Sequence, residues 1–297
     1  MSIITQLKDV MDAHGYSQGQ VARAIGRSST TINQYIQGKY NGDVADMEER
    51  IANFIRRVRE KQNALRIDER FVSTPTASKG IEVLAYAHRE CEICVLYGAA
   101  GLGKTMILKE YARRDDTVIF IEADPGYSAR TLLEELCNRL NLSKNGNIHT
   151  LLDLCVEKLR GSGRLLVIDE AELLPYRALE VVRRLHDKAG IGVVMAGMPR
   201  LIVNLKGKRG EFAQLYSRVA LALDMGNALE REDFDQIAIE LMPEAEDQKI
   251  RNSLYDQSRG NARRLFKLAR GVYRTCDISK KEVSVTAIEK FSEMLIH

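Results

Sequence analysis

Residues 93–105 are ICVLYGAAGLGKT, an apolar run followed by a glycine-rich segment that ends in Lys-Thr. The part from Gly98 to Thr105 satisfies the pattern G-x-x-x-x-G-K-[ST] in full. The apolar run predicts a buried strand, and the residues from Lys104 onward predict a helix, which is the setting that the pattern requires. Glycines let backbone N–H groups turn inward around phosphate oxygens, and the helix N-terminus faces the same anion. The stretch therefore predicts an α/β fold that holds a nucleotide.

Individual residues of this phosphate loop have separate expected roles. Lys104 is expected to contact the β and γ phosphates, and Thr105 to offer its hydroxyl to Mg²⁺. ATP and Mg²⁺ are therefore the expected cofactors. The residues of this stretch that are expected to bind the nucleotide are Gly98, Ala99, Ala100, Gly101, Leu102, Gly103, Lys104, Thr105 and Met106.

Composition restricts the class of protein. Of the 297 residues, 45% are hydrophobic and 29% are charged, and the net charge is +3. This composition is typical of a globular protein, and the net charge is too small to argue for nucleic-acid binding by itself. No apolar run approaches a membrane span and the N-terminus lacks a signal-peptide pattern, so we expect a cytoplasmic protein without a membrane partner. Cys91 and Cys94 form a lone C-x-x-C, which favours apolar packing over zinc binding.

The pattern of the chain changes twice. Residues 1–65 are predicted to form an all-helical domain, and residues 66–79 a linker. From 80 to 226 strands alternate with helices, which predicts a parallel sheet with crossover helices, and residues 227–297 are predicted to be helical again. The predicted strands are 92–97, 117–122, 164–169, 191–196 and 219–223, and the predicted helices of the core are 79–90, 104–113, 128–140, 148–160 and 175–189.

The N-terminal domain has the spacing of a helix-turn-helix. Ser17 and Ser28 are predicted to cap two short helices, with Gly26 in the turn between them. The second helix would be the recognition helix, and Arg27 and Lys39 flank it for contacts with the DNA backbone. Docking of another protein is the alternative use of such a unit. The side chains expected to contact DNA are those of Ser29, Thr30, Asn33, Gln34 and Lys39.

Two carboxylates follow the third predicted strand, in the segment LLVIDE at 165–170. Because the carboxyl ends of parallel strands lie at one edge of a sheet, Asp169 and Glu170 are expected beside the phosphate loop. Asp169 is expected to hold Mg²⁺ through water, and Glu170 to orient or deprotonate the attacking water. A helix cap is the alternative role for such a pair.

The segment DEAEL that begins at Asp169 is similar to the D-E-A-x-x-L of DNA-handling AAA+ ATPases. In that family a neighbouring subunit supplies an arginine finger to the γ-phosphate. The resemblance implies that Arg218, in LYSRV, is this finger, with a surface ion pair as the alternative. It also implies that Arg263, in GNAR, is the nucleotide-binding arginine of the lid, with Arg264 as the fallback.

The same resemblance exposes one departure. A polar side chain that senses the γ-phosphate is expected after the fourth strand, and Met198 stands there instead. Either Asn204 or the backbone substitutes for it, or hydrolysis is slow.

The segment KGKRG at 206–210 is a glycine-flanked basic loop. It is expected either to contact DNA phosphates without sequence preference, inside an oligomer, or to be a solvated loop. Lys144 is a weaker candidate for the same contact. The basic side chains concerned are Lys206, Lys208 and Arg209.

The order of helix-turn-helix, AAA+ core and helical lid resembles the MuB-like target-DNA-binding ATPases of phage Mu-type transposition. The resemblance implies a parallel five-stranded sheet with helices on both faces, a small C-terminal helical lid and an N-terminal all-α helix-turn-helix domain. It further implies an ATP-dependent homo-oligomer, a ring or helical filament, that coats double-stranded DNA with little sequence preference. Such an assembly presents DNA to a DDE-type transposase and is released by ATP hydrolysis. The resemblance is carried by KYNGD at 39–43, the phosphate loop, IDEAE at 168–172, IGVVMAG at 191–197 and EFAQLYSRVA at 211–220.

Two other functions remain open at this point. A helicase loader would share the ATPase architecture but prefer single-stranded DNA. A transcription regulator would use the ATPase to modulate a sequence-specific helix-turn-helix, with a large specificity ratio. A metabolic kinase is disfavoured, because the helix-turn-helix and both arginine positions would then be coincidences.

Overall fold

The computed structural model describes residues 2–64, 70–207 and 212–295. The chain divides into two compact units, one at the N-terminus and one that begins near residue 69. Among the helices of the described ranges, none combines the length and the hydropathy that a bilayer span requires. The domain boundaries predicted from the sequence stay predictions.

Within residues 2–64, the N-terminal unit contains four helices around a small apolar core. Serine hydroxyls cap the first three helices, and Ser17 forms a full capping box with Gln20. The turn between the second and third helices passes through Gly26, whose φ of 70° suits a residue without Cβ. The helices are α1 (Ile3–His14), α2 (Gln18–Ile25), α3 (Ser29–Ile36) and α4 (Val44–Ala64), and their core includes Leu7, Val21, Ile32, Met47 and Ile51.

A parallel sheet of five strands in the order β2-β3-β4-β1-β5 is the centre of the second unit, which confirms the predicted fold class. The three inner strands are almost completely buried, as their continuous apolar sequences predict. Every strand lies within one residue of its predicted bounds. The strands are β1 (Ile93–Tyr97), β2 (Val118–Glu122), β3 (Leu165–Asp169), β4 (Gly192–Gly197) and β5 (Val219–Asp224).

Seven helices accompany this sheet in the described chain, and one of them begins earlier than predicted. The helix expected from 79 starts at Pro75, inside the predicted linker, because Thr74 caps it and proline is well suited to the first helical turn. The helices are α5 (Pro75–Glu90), α6 (Lys104–Arg114), α7 (Ala129–Arg139), α8 (Ile148–Leu159), α9 (Tyr176–Ala189), α10 (Arg200–Lys206) and α11 (Ala213–Tyr216).

Beyond β5 the described residues are helical to the end, as predicted. Their packing is close, since a Cβ atom on Gly271 would lie 1.8 Å from the ring of Phe291. The helices of this lid are α12 (Arg231–Leu241), α13 (Gln248–Ser258), α14 (Ala262–Ser279) and α15 (Val285–Ser292), with a 3₁₀ turn at Pro243–Glu246.

Candidate nucleotide-binding site

The phosphate loop connects β1 to α6 at the carboxyl edge of the sheet. Gly101 and Gly103 have φ angles of 80° and 90°, a left-handed conformation that glycine adopts without strain. Neighbouring segments hold the loop, because Gly98 N–H donates to the carbonyl of Gly197 (3.3 Å) and Ala99 N–H to that of Gly226 (2.9 Å). These two bonds hold the start of the loop against the segments that end β4 and follow β5.

Lys104 is folded back onto this loop. Its side chain is 9% exposed, and its Nζ donates to the carbonyls of Gly98 (2.8 Å) and Ala99 (2.7 Å). Burial lowers the pKa of Lys104, and nearby carboxylates, Glu172 first among them, oppose that shift. The ammonium is thus held close to the place where the pattern expects phosphate.

Thr105 and Asp169 are 64 positions apart in sequence and touch in the structure. Thr105 Oγ1 donates to Asp169 Oδ2 at 2.6 Å, and Asp169 is 2% exposed. The other carboxylate oxygen of Asp169 accepts from the N–H of Glu170 at 2.9 Å. A hydroxyl and a carboxylate side by side are the oxygen ligands that Mg²⁺ takes beside nucleotide phosphates, so the two residues fit that ion.

Glu170 follows Asp169 with a φ of 52°, an uncommon conformation for a residue other than glycine. Such backbone strain is concentrated at functional sites. Burial raises the pKa of the Glu170 carboxyl, and so do the charges of Asp169 and Glu172. A carboxylate with a raised pKa is better suited to accept a proton from water.

Glu172 belongs to the same region and was not predicted. It lies in a 3₁₀ turn, Ala171–Leu173, and its Oε2 atom is buried without a hydrogen-bond partner in the described part of the chain. A Cβ atom on Gly197 would lie 2.0 Å from that oxygen. The spacing Asp-Glu-Ala-Glu was visible in the sequence, but the turn that directs the third carboxylate to the end of β4 was not.

Methionine stands at the position where a polar sensor of the γ-phosphate is expected. Met198 directly follows β4 and is 45% exposed. Asn204, the predicted substitute, uses its Nδ2 to donate to the backbone carbonyl of Glu172 at 2.9 Å. Its amide nitrogen is therefore engaged in holding the 3₁₀ turn.

The lid reaches the phosphate loop through the start of α14. Asn261 Nδ2 donates to the carbonyl of Ala100 (2.7 Å), while its Oδ1 caps the helix by accepting from the N–H of Arg264 (3.1 Å). Arg263 N–H donates to the carbonyl of Gly101 at 3.4 Å. The Arg263 guanidinium also acts electrostatically on Lys104 and Glu170, whereas that of Arg264 donates to the carbonyl of Gln257.

An apolar cavity adjoins the loop, and most of its lining was missed by the sequence analysis. Part of the lining belongs to the segment predicted as linker, including RFV at 70–72. The remainder comes from the loop, α5, α6 and the lid, so that only the folded chain assembles it. The lining includes Phe71, Val72, Met106, Ile237, Ala262 and Phe266.

Arg218 lies far from the phosphate loop of its own chain. It precedes β5, whose first residue Val219 pairs with Ile93 at the start of β1, while the loop follows the end of β1. A strand of five residues, about 16 Å at 3.3 Å per residue, separates the two edges of the sheet. Arg218 Nε lies 3.2 Å from Asp187 Oδ1, and the Arg218 side chain is 53% exposed.

The residues of the N-terminal unit that were predicted to contact DNA lie at its surface. Ser29, Thr30, Asn33, Gln34 and Lys39 are all exposed on the N-terminal unit. Arg27 is also exposed, but Asp46 compensates its charge at 2.6 Å, which weakens the expectation of a phosphate contact.

In the second unit, Lys206 ends α10, and its Nζ lies 4.6 Å from the ring centroid of Tyr216. Lys208 and Arg209 lie outside the described residues. Lys144 is exposed in the loop before α8.

Comparison with known proteins gives a domain match and three relatives that match a larger part of the chain. A model of the AAA domain matches residues 87–205. The Mu-like prophage FluMu DNA transposition protein B of Haemophilus influenzae is 31% identical over 74% of this chain and 78% of its own length. The ATP-dependent target DNA activator B of Escherichia phage Mu is 34% identical over 68% of this chain and 65% of its own length. The ATP-dependent target DNA activator B of Escherichia phage D108 is 33% identical over 68% of this chain and 65% of its own length.

Solved structures support the fold. The Aeropyrum pernix ORC2 protein superposes with a TM-score of 0.58 at 16% identity, covering 78% of this chain and 72% of that one. A point mutant of the Thermotoga maritima RuvB protein superposes with a TM-score of 0.52 at 18% identity, covering 76% and 70%. At these identities the similarity concerns the fold alone.

Proposed function

The chain belongs to the family of the transposition B proteins of phage Mu and Mu-like prophages, and we propose that it is an ATP-dependent activator of target DNA for a transposase. It is an ATPase with an AAA domain. The observation that carries the proposal is the contact between Thr105 and Asp169 beneath a complete phosphate loop, in a chain whose relatives are named for this function.

Different residues of the site would bind the nucleotide and carry out its hydrolysis. The N–H groups of the loop, together with Lys104, would hold the phosphates, and Thr105 and Asp169 would hold Mg²⁺, which supplies neutralising charge when bound. Glu170 would accept a proton from the attacking water. The adenine base would lie in the apolar cavity, which offers aromatic and aliphatic contacts. The Arg263 guanidinium, from the lid, would approach the phosphates.

Assembly into a homo-oligomer, a ring or a helical filament, is part of the proposal. Arg218 lies at the edge of the sheet opposite its own phosphate loop. If it acts on a nucleotide, that nucleotide must belong to a neighbouring copy. ATP would then hold subunits together, and hydrolysis would loosen them and release the DNA.

Double-stranded DNA is the proposed substrate of the assembly, and the transposase is proposed to be of the DDE type. Lys206, Lys208 and Arg209 would contact phosphates without sequence preference. The N-terminal unit, proposed to be a helix-turn-helix, would add contacts through the exposed residues of α3 and Lys39. A cytoplasmic location is part of this proposal.

The assembly is tested by electron microscopy of the full chain with double-stranded DNA and a slowly hydrolysed ATP analogue. We expect rings or filaments with the analogue and none without nucleotide. Lys104→Ala should prevent them, and Glu170→Gln should make them persist with ordinary ATP, because binding survives while proton transfer is lost. A protein that binds ATP but stays monomeric on DNA would contradict the proposal.

DNA preference separates this function from the two alternatives. The proposal expects nearly equal affinity for unrelated duplexes and a steep dependence on salt. Strong preference for one duplex would favour a transcription regulator, and preference for single strands would favour a helicase loader.

The role of Arg218 has a matched control in its ion-pair partner. Arg218→Ala and Asp187→Asn both remove this ion pair, and only Arg218→Ala removes the Arg218 guanidinium. Asp187→Asn also removes the ion pair of Asp187 with Arg183, so it disturbs the local structure more than Arg218→Ala does. A finger predicts that Arg218→Ala loses DNA-stimulated hydrolysis while Asp187→Asn keeps it. Equal DNA-stimulated hydrolysis by the two variants would mean that the ion pair between Arg218 and Asp187 is only structural.

A further inference from the structure

Asp233 joins the lid to α5 by a buried hydrogen bond. It lies in the first turn of α12, and its Oδ1 atom accepts from the backbone N–H of Thr76 at 3.1 Å. The two residues are 157 positions apart in sequence, and Asp233 is 1% exposed. A buried carboxylate is costly unless its surroundings compensate it, so this placement calls for an explanation.

The start of α5 supplies that compensation. Thr74 accepts two bonds in the first turn, from the N–H of Ala77 to its Oγ1 atom (3.2 Å) and from that of Ser78 to its carbonyl (2.8 Å). Pro75 has no N–H, so Thr76 carries the remaining donor of this turn. A carboxylate at a helix N-terminus is also stabilised by the helix dipole. The carboxylate from the lid therefore completes the cap of α5.

The same bond crosses from one wall of the apolar cavity to another. Thr76 lines the cavity from α5, and Ile237, one turn after Asp233 on α12, lines it from the lid. The other oxygen of Asp233, Oδ2, is buried without a hydrogen-bond partner in the described part of the chain. The carboxylate is thus held through Oδ1, and this bond ties the two walls together close to the residues that line them.

A second contact between α12 and the same part of the chain differs in exposure. Arg70, which also lines the cavity, pairs with Glu240 near the end of α12, and both side chains are exposed. Exposed ion pairs contribute little, because water screens them and both side chains lose conformational freedom. Asp233 provides the buried connection.

We propose that Asp233 is a positioning residue of the nucleotide site, which caps α5 from the lid and thereby fixes the walls between which the base is held. The inference rests on the proposed placement of adenine in the apolar cavity. Asp233 lies outside the described lining, so it acts on the base through Thr76 and Ile237. The phosphate loop has its own bonds to Gly197 and Gly226, so the phosphates do not depend on Asp233 in this way.

The test compares how the full chain binds a non-hydrolysable ATP analogue and inorganic tripolyphosphate, which carries phosphates without a base. Both are measured with Mg²⁺ by competition against a fluorescent nucleotide. We expect Asp233→Ala to weaken binding of the ATP analogue by about tenfold, a usual effect of leaving one buried donor unpaired, and binding of tripolyphosphate by less than about twofold. Asp233→Asn should restore most of the affinity for the ATP analogue, because its amide oxygen can accept the same bond.

A second measurement follows the base itself. The chain is saturated with a triphosphate whose base is 2-aminopurine, and the quenching of its fluorescence by iodide is recorded. A base held between the cavity walls is shielded from iodide, so we expect stronger quenching in Asp233→Ala than in the natural chain. Because every site is filled, this measurement does not depend on affinity, and it decides the question if tripolyphosphate binds too weakly to compete.

Glu240→Gln is the matched control. It changes a carboxylate on the same helix, whose contact with Arg70 is exposed. We expect its affinities for both ligands and its iodide quenching to match those of the natural chain.

The outcomes separate this inference from the proposed function. If Asp233→Ala weakens both ligands in equal proportion, or neither, and leaves the quenching unchanged, the positioning role alone is overturned. Binding by Asp233→Asn as weak as that by Asp233→Ala would also overturn it, since the bond to Thr76 would not be the cause. A natural chain that binds tripolyphosphate as tightly as the ATP analogue would overturn the placement of the base and this inference together. A natural chain that binds neither ligand would overturn the proposed function itself.

Discussion

Gly101→Ala offers a measurable test of the contact between the phosphate loop and the lid. Gly101 has a φ of 80°, and a Cβ atom there would lie 2.4 Å from Asn261 Oδ1. Gly103 is the matched control, because its φ is 90° and a Cβ atom on it would meet nothing within 4 Å. The two substitutions share the backbone strain, and only the first also disturbs Asn261.

The magnitude follows from the bonds that Asn261 would lose. Left-handed backbone costs an alanine about 1–2 kcal/mol in either variant. Asn261 would have to swing away from Gly101→Ala and give up its bond to the Ala100 carbonyl, worth about 1 kcal/mol, and its cap on α14, worth about 1 kcal/mol. We therefore expect Gly101→Ala to reduce the free energy of unfolding by about 2 kcal/mol more than Gly103→Ala does.

The assay is urea denaturation of the full chain without nucleotide, followed by circular dichroism. A double-mutant cycle with Asn261→Ala isolates the contact, because Asn261→Ala removes the same two bonds and the atom that would clash. The double variant should be about 2 kcal/mol more stable than the sum of the single effects predicts. Additive effects, or equal losses in Gly101→Ala and Gly103→Ala, would refute the reasoning.

Three further predictions concern the scaffold. Gly192→Ala should destabilise the second unit by about 3 kcal/mol or more, since its Cβ atom would lie 2.1 Å from the backbone carbonyl oxygen of Ala87; a loss below about 1 kcal/mol on thermal unfolding would contradict this close approach. Burial, and then the Glu48 carboxylate, raises the pKa of Tyr35 from 10.0 to about 12. The contribution of the neutral Tyr35 hydroxyl to the free energy of unfolding is therefore complete below pH 10 and is lost as pH rises towards about 12. In urea denaturation at stepped alkaline pH, the free energy of unfolding should fall less steeply with pH for Tyr35→Phe than for the natural chain. Identical declines in the two proteins would count against the raised pKa of Tyr35. Ser28→Ala should reduce the stability of the N-terminal unit by about 1 kcal/mol in urea, because it removes the cap of α3, and an unchanged midpoint would count against that cap.

Local patterns in the sequence accounted for most of the fold. The apolar runs at 93–97, 165–169 and 192–197 were recognisable as buried strands, because strand and helix periodicities differ and short-range signals mark their ends. Pro75 was misleading, since proline is common both in linkers and in the first turn of a helix. One local signal with two structural meanings could not be resolved without its surroundings.

The site divides in the same way. The phosphate loop, Asp169 and Glu170 were predicted because their chemistry requires fixed residue types at strand ends. The apolar cavity was not, because its lining comes from segments distant in sequence that carry no common motif. Glu172 was missed because its importance depends on a 3₁₀ turn and on a glycine 25 positions later that leaves room for its carboxylate.

The sequence by itself determined the family, the succession of strands and helices along the chain and the nucleotide loop, because these depend on residue types at short spacing. Tertiary structure alone decided which of those residues touch. It joined Thr105 to Asp169 across 64 positions and Asn261 to Ala100 across 161. It also set Arg218 at the sheet edge opposite its own loop, because parallel pairing aligns the start of β5 with the start of β1. Such contacts are fixed by packing of the whole sheet, which no local pattern specifies.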